Sequence, residues 1–258
     1  MKKSVWITML EKNEGLGRTI YQEMSRYGLE PGGHFWVNDL ANMAWAGTVP
    51  ELSRAHCRAW IIVGQASSFA DPVTRQGLAL LALAAQAEHG VDFPILLSVA
   101  GGQVAVEELP TPLRGAEAVS SGLGVKAVAR ANAGRGRDGR EYRLAVHPLP
   151  GLGLWFELGP ARDPWLGAFL GCAGAPATVP DAHGVGPAGA IPRNSTLNFP
   201  VCGLKMALNN REFIAWGVHN QLSPAESYFV RVAGTPESLV FGPFPDHDDA
   251  EVFSTTLL

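Results

Sequence analysis

One helical stretch with marked ends, set between two apolar runs, constrains the fold more than any other part of the chain. Asp71-Pro72 offers an N-cap followed by a proline at the first helical position, where a missing N–H is harmless. Leu78, Leu80, Leu81, Leu83 and Ala84 then make the segment apolar nearly all round until His89-Gly90, so a buried helix is expected over 72–89. On either side lie short β-favouring runs, Ala59-Trp60-Ile61-Ile62-Val63 stopped by Gly64, and Phe93 to Val99. Strand, buried helix and strand in that order imply a right-handed crossover onto a parallel sheet.

The alternation extends toward the N-terminus. Val5 to Leu10 reads as a buried strand running into the turn Glu11-Lys12-Asn13-Glu14-Gly15-Leu16-Gly17. Leu16, Ile20, Met24 and Tyr27 recur on one face of a 3.6-residue period, with Gly28 placed as a C-cap, which predicts a helix over about 16–27. His34-Phe35-Trp36-Val37 is a further strand, ended by Asn38-Asp39. Residues 1–110 are therefore expected to form an α/β domain with a mostly parallel sheet.

After Gly101-Gly102 the texture changes, and Glu107 to Gly124 is rich in Pro, Gly, Ser and charge, which places a linker at 111–124. Residues 125–258 read as a mostly antiparallel, β-rich domain. Its expected strands are Val125 to Val128, Glu141 to Val146, Leu154 to Leu158, Glu212 to Val218, Ser227 to Val232 and Ser238 to Phe241. Turns at Gly134 to Arg140 and Gly234 to Glu237 punctuate them, and a sandwich or barrel is the natural closure. Residues 171–192 hold five Gly, four Pro and six Ala in 22 positions, too few large side chains for a core, so a long, mobile loop is expected there, either disordered or a passive excursion, or else a substrate or partner lid.

Twenty Lys and Arg against 24 Asp and Glu give a net charge of −4, which supplies no basic field for a phosphate backbone, so nucleic acid is not an expected partner. Cys57, Cys172 and Cys202 are widely spaced without a C-x-x-C pair, signalling neither a disulfide framework nor a zinc site. The apolar stretch after Lys2-Lys3 is broken by Glu11-Lys12 before it can act as a leader, and no run approaches membrane-spanning length. A cytoplasmic protein without membrane contact is the expectation.

Ligands of open α/β sheets bind outside the carboxyl ends of the strands, where helix N-termini collect. Three loops there supply the candidate binding residues. Gly15 and Gly17 would bring backbone close to a phosphate, with Arg18 at the helix start, although Glu11 and Glu14 would repel an anion. Asp39, beside Asn38, is placed to accept from ribose hydroxyls or to cap the turn that follows. Ser67 and Ser68 offer hydroxyls beside the helix that starts after Asp71, but no G-x-S-x-G elbow surrounds them. No catalytic residue or cofactor is assigned. No metal site is expected either, since Asp246-His247-Asp248-Asp249 reads as a solvated acidic face and His147, His183 and His219 lack partners at ligand spacing. Trp155, Trp165 and Trp216 read as core aromatics, with a ligand groove as the alternative.

The order of these elements, with Val37-Asn38-Asp39, Glu51-Leu52-Ser53-Arg54-Ala55, Ser67-Ser68-Phe69 and Phe93-Pro94-Ile95-Leu96-Leu97, resembles a Toll/interleukin receptor (TIR) domain over roughly residues 4–100. Flavodoxin-like domains share the alternation. The resemblance implies a flavodoxin/TIR-like parallel sheet and a signalling or immune-type module, some members of which cleave NAD through a glutamate on the helix after the serine-containing loop. At that place this sequence has Gln76, which cannot act as a carboxylate. The expected function is a binding or signalling module whose partner is a protein or a nucleotide. The alternative is an enzyme with its site in the cleft between the α/β and β-rich halves.

Overall fold

The computed structural model describes residues 2–133, 139–245 and 252–258. The chain divides into two compact units, residues 1–138 and 139–258.

The first unit carries β1 (Ser4–Met9), α1 (Glu14–Arg26), β2 (Glu30–Phe35), the short α2 (Val49–Leu52), β3 (Cys57–Gln65), α3 (Ala66–Ala70), α4 (Pro72–His89), β4 (Ile95–Ala100), β5 (Glu117–Ala118) and α5 (Leu123–Asn132). All five strands are parallel, in the order β2-β1-β3-β4-β5. That is the doubly wound, flavodoxin-like order, with its switch point between β1 and β3. The β1-to-β2 and β3-to-β4 crossovers run in opposite directions along the sheet, so right-handedness puts α1 and α4 on opposite faces. Period-two alternation then divides the strands: Val5, Ile7, Met9, Ala59, Ile61, Val63 and Leu96 meet Ile20 and Met24 of α1 and Ala127 and Ala131 of α5 in one core. Across the sheet, the buried Trp60 donates its indole N–H to Thr8 Oγ1 at 2.8 Å, which satisfies two polar groups that the central strands enclose.

The helix expected over 72–89 spans Pro72–His89, and Asp71 accepts from the Thr74 N–H as its cap. Helix α1 starts at Glu14 because Asn13 caps it through the Leu16 N–H, two residues earlier than the apolar period shows. Two differences follow in the stretch expected as linker and first β-rich strand. Residues 111–124 contain the 3₁₀ turn Thr111–Leu113 and β5 and open α5, and Val125 to Val128 lie inside that helix. Leu123, Ala127 and Ala131 are buried at a spacing of four, a helical period that a four-residue window of alternating character hides.

In the second unit β6 (Tyr142–Leu149), β7 (Gly153–Pro160), β8 (Ala168–Ala173), β9 (Val179–Pro187), β10 (Val201–Leu208), β11 (Arg211–Val218), β12 (Glu226–Ala233), β13 (Ser238–Pro243) and β14 (Phe253–Thr256) form two antiparallel sheets. Their orders are β6-β7-β12-β9 and β10-β11-β8-β13-β14. Leu144, Val146, Phe156, Leu158, Tyr228 and Val230 of the first face Leu170, Cys172, Leu239 and Phe241 of the second. Tyr142 meets Phe241 edge-on at 5.0 Å between the sheets, and His183 meets Trp216 at 4.9 Å.

The long loop expected over 171–192 is replaced by the end of β8 and all of β9. Its small residues serve close approach instead of flexibility. A Cβ on Gly171 would lie 2.9 Å from Val240 Cγ1, and one on Gly186 would lie 2.9 Å from Pro192 Cβ. The acidic run Asp246-His247-Asp248-Asp249 and most of the turn expected at Gly134 to Arg140 lie outside the described residues.

Candidate functional site

The carboxyl edge of the parallel sheet gathers the loops after β1, β2 and β3. After β1, Glu11 turns back across the sheet: its Oε1 accepts the Gln65 N–H at 3.0 Å and the Ser68 hydroxyl. Tight packing permits this, since a Cβ on Gly64 would strike Leu10 at 2.7 Å. The carboxylate therefore sits at the start of α3.

After β2, Asn38 donates to Asp71 Oδ2 at 3.1 Å and accepts from Thr74 Oγ1 at 3.3 Å, tying that loop to the start of α4. The Thr74 N–H and hydroxyl hold the Asp71 carboxyl below the ordinary carboxylate range. Asp39 closes its own turn, accepting from the Asn42 side chain at 2.8 Å and its N–H at 3.0 Å, which likewise lowers its pKa. Trp36 lies over α4 at Gly77, where a Cβ would be 2.7 Å from Cζ2. Its indole N–H is buried and has no acceptor among the described residues. Around this depression stand the exposed Val37 and Val73.

Of the candidate residues, Ser68 is joined to Glu11, and Asp39 is spent on its turn. Gly15, Gly17 and Arg18 fall in the first turns of α1, and Ser67 is exposed in α3. Gln76 is 7 % exposed in α4. A cavity of about 380 Å³ opens at the opposite, amino-terminal edge, between Arg58, Phe93 and Arg130. Asp92 and Glu117 both line it, and Glu117 is held down in pKa by Lys126 and Arg130.

A second polar cluster was invisible to residue spacing. Glu157 of β7, 3 % exposed, accepts from Ser227 Oγ and His147 Nε2, both at 2.7 Å, and from the Gly189 N–H at 2.8 Å. Arg143 Nη1 lies 3.5 Å from the same carboxylate. Burial pushes Glu157 up, but the bonds from His147, Ser227 and Gly189 outweigh it and leave its pKa below the usual range. The serine donates to the carboxylate and not to the histidine, so this is no nucleophile–base pair. It pins the segment after β9, which continues to Pro192 over Gly184 and Gly186 and to Ser195, whose hydroxyl accepts from Val185 N and donates to Val185 O. The one cue was a glutamate inside the apolar run Leu154-Trp155-Phe156-Glu157-Leu158.

No family model and no curated protein matches this chain. No helix among the described residues is long and apolar enough to cross a membrane.

Proposed function

We propose that the chain is a binding module of the signalling type that engages a protein partner through the carboxyl edge of its parallel sheet. The observation that carries this reading is Glu11: an anionic side chain of the protein itself fills the seat at the β3–α3 junction, where a nucleotide phosphate would meet charge repulsion. Val37 and Val73 stay exposed at the same edge, and the orphan indole N–H of Trp36 beside them offers a donor to an incoming carbonyl. The reading accords with the resemblance to TIR domains and, with a buried amide at Gln76 in place of a carboxylate, with loss of that family's NAD chemistry.

Calorimetric titration with ATP, FMN and NAD should give no saturable heat. A photo-crosslinking residue at position 37 should yield a discrete protein adduct in the source cells that Val73→Glu abolishes. Saturable nucleotide binding lost on Gly15→Val would replace the protein partner by a nucleotide.

A further inference from the structure

The cavity of about 380 Å³ at the amino-terminal edge of the parallel sheet has the size of a small-molecule site, for which about 300–1,000 Å³ is usual. It lies where β3 and β4 start and α5 ends. Phe93, Ile95 and Leu96, all buried, form an apolar floor, and Ala131 and the C-cap Ala133 of α5 close one side.

Four charged side chains line this apolar space: Arg58, Asp92, Glu117 and Arg130. Two of them are spent on each other. Glu117 Oε2 accepts from Arg130 Nε and Nη2, both at 2.8 Å, and its Oε1 accepts from Lys126 at 2.7 Å. Arg58 and Asp92 are left over. Neither side chain makes a hydrogen bond or ion pair among the described residues, so they do not pair with each other either. Arg58, half-buried at the start of β3, is a cation partly withdrawn from water without a counter-charge, an arrangement that an incoming anion relieves. Asp92 is exposed in the loop before β4 and stands at the mouth. The partial negative charge at the carboxyl end of α5 adds to it, favouring a cation on that side.

One unpaired positive group, one unpaired negative group and an apolar floor match a ligand with one carboxylate, one ammonium and an apolar body. A nucleotide matches poorly, because its phosphates would bring several negative charges to one unpaired cation, beside Asp92 and the helix carboxyl end. We propose that this cavity binds a free α-amino acid with an apolar side chain. Its carboxylate takes the planar fork of Arg58, its ammonium faces Asp92 and the end of α5, and its side chain rests on Phe93, Ile95 and Leu96.

Calorimetric titration of the full chain with L-phenylalanine and L-leucine up to ~10 mM tests this. At least one should bind saturably, and Arg58→Gln and Asp92→Asn should each weaken it by about tenfold or more. The matching acid without the ammonium, 3-phenylpropanoate or 4-methylpentanoate, should also bind about tenfold or more weaker, as should the matching amine without the carboxylate. Gly115→Leu blocks the site without straining the fold. Nothing lies within 4 Å of a Cβ at this lining position, so the new side chain has room, and binding should vanish with no drop in melting temperature. Absence of saturable heat with both amino acids overturns the proposal, as does undiminished binding in Arg58→Gln or Gly115→Leu. So does a deaminated acid that binds as tightly as its amino acid, which would make this a site for carboxylates at large.

Discussion

Two side chains of the first unit carry expectations at the level of single groups. Gln76 is an amide, and it is buried; NAD glycohydrolysis by a TIR-type route needs an accessible carboxylate by the ribose. The purified protein is expected to release no nicotinamide from NAD at high protein concentration, and turnover that vanishes in Gln76→Ala or Asp71→Ala would refute this. His34 makes a different prediction. Trp6 Nε1 donates to its Nδ1 at 3.0 Å, so the other nitrogen carries the proton toward Thr48 Oγ1 at 3.1 Å, and the ring is held neutral. Burial lowers its pKa from 6.5 to about 4. Above 6.5 neither the folded nor the unfolded form is charged, and stability is complete. Between about 6.5 and 4 the unfolded chain binds the extra proton, so stability falls with pH by about 3 kcal/mol at most. Urea titrations at pH 7 and pH 4.5 should show this loss, and His34→Gln should reduce it.

Among the elements, α4 combines a good cap with a poor helix former, and the reason for Gly77 is contact. Alanine normally gains about 1 kcal/mol over glycine inside a helix. Here its Cβ would meet the packed Trp36 ring at 2.7 Å, so Gly77→Ala should destabilise by a net ~1–3 kcal/mol in denaturant unfolding. In the four-stranded sheet, Glu157→Leu removes the shared acceptor of Ser227, His147, Arg143 and Gly189. The uncompensated groups should cost about 3–5 kcal/mol, and exchange of the Gly189 amide should accelerate. Glu157→Gln, which keeps an acceptor oxygen, should lose less on both measures.

For the whole molecule, the α/β half was legible because its signals are local: Asp71-Pro72, the buried run Ala59 to Val63, the spacing Ile20 to Met24. The parallel sense of the sheet followed from the alternation of strands and helices, whereas its order is seen only in the fold. What escaped was set by distant packing. The glycines and alanines of β8 and β9 look like a loop until Val240 and Pro192 are seen against them. At the candidate site, the repulsion of anions by Glu11 was readable, but its bond to Ser68, 57 positions away, was not. Likewise His147 finds its carboxylate across a hairpin and not at ligand spacing. Charge offers one expectation at this scale. With a net −4 at pH 7 and an isoelectric point near 6.0, solubility measured against pH should pass through a minimum near pH 6.

The hydroxyl of Ser195 has an evolutionary corollary. It fills both backbone positions of Val185 on β9, an outer strand of its sheet, as a neighbouring chain would. Since Gly189 is tethered to Glu157 and Ser195 to Val185, the peptide between them is clamped at two fixed points. Substitution of the exposed Ala190 should therefore be tolerated better than any change in length. A scan of single-residue insertions should find this stretch intolerant, and insertions between Gly151 and Leu152, in the turn joining β6 to β7, readily accepted.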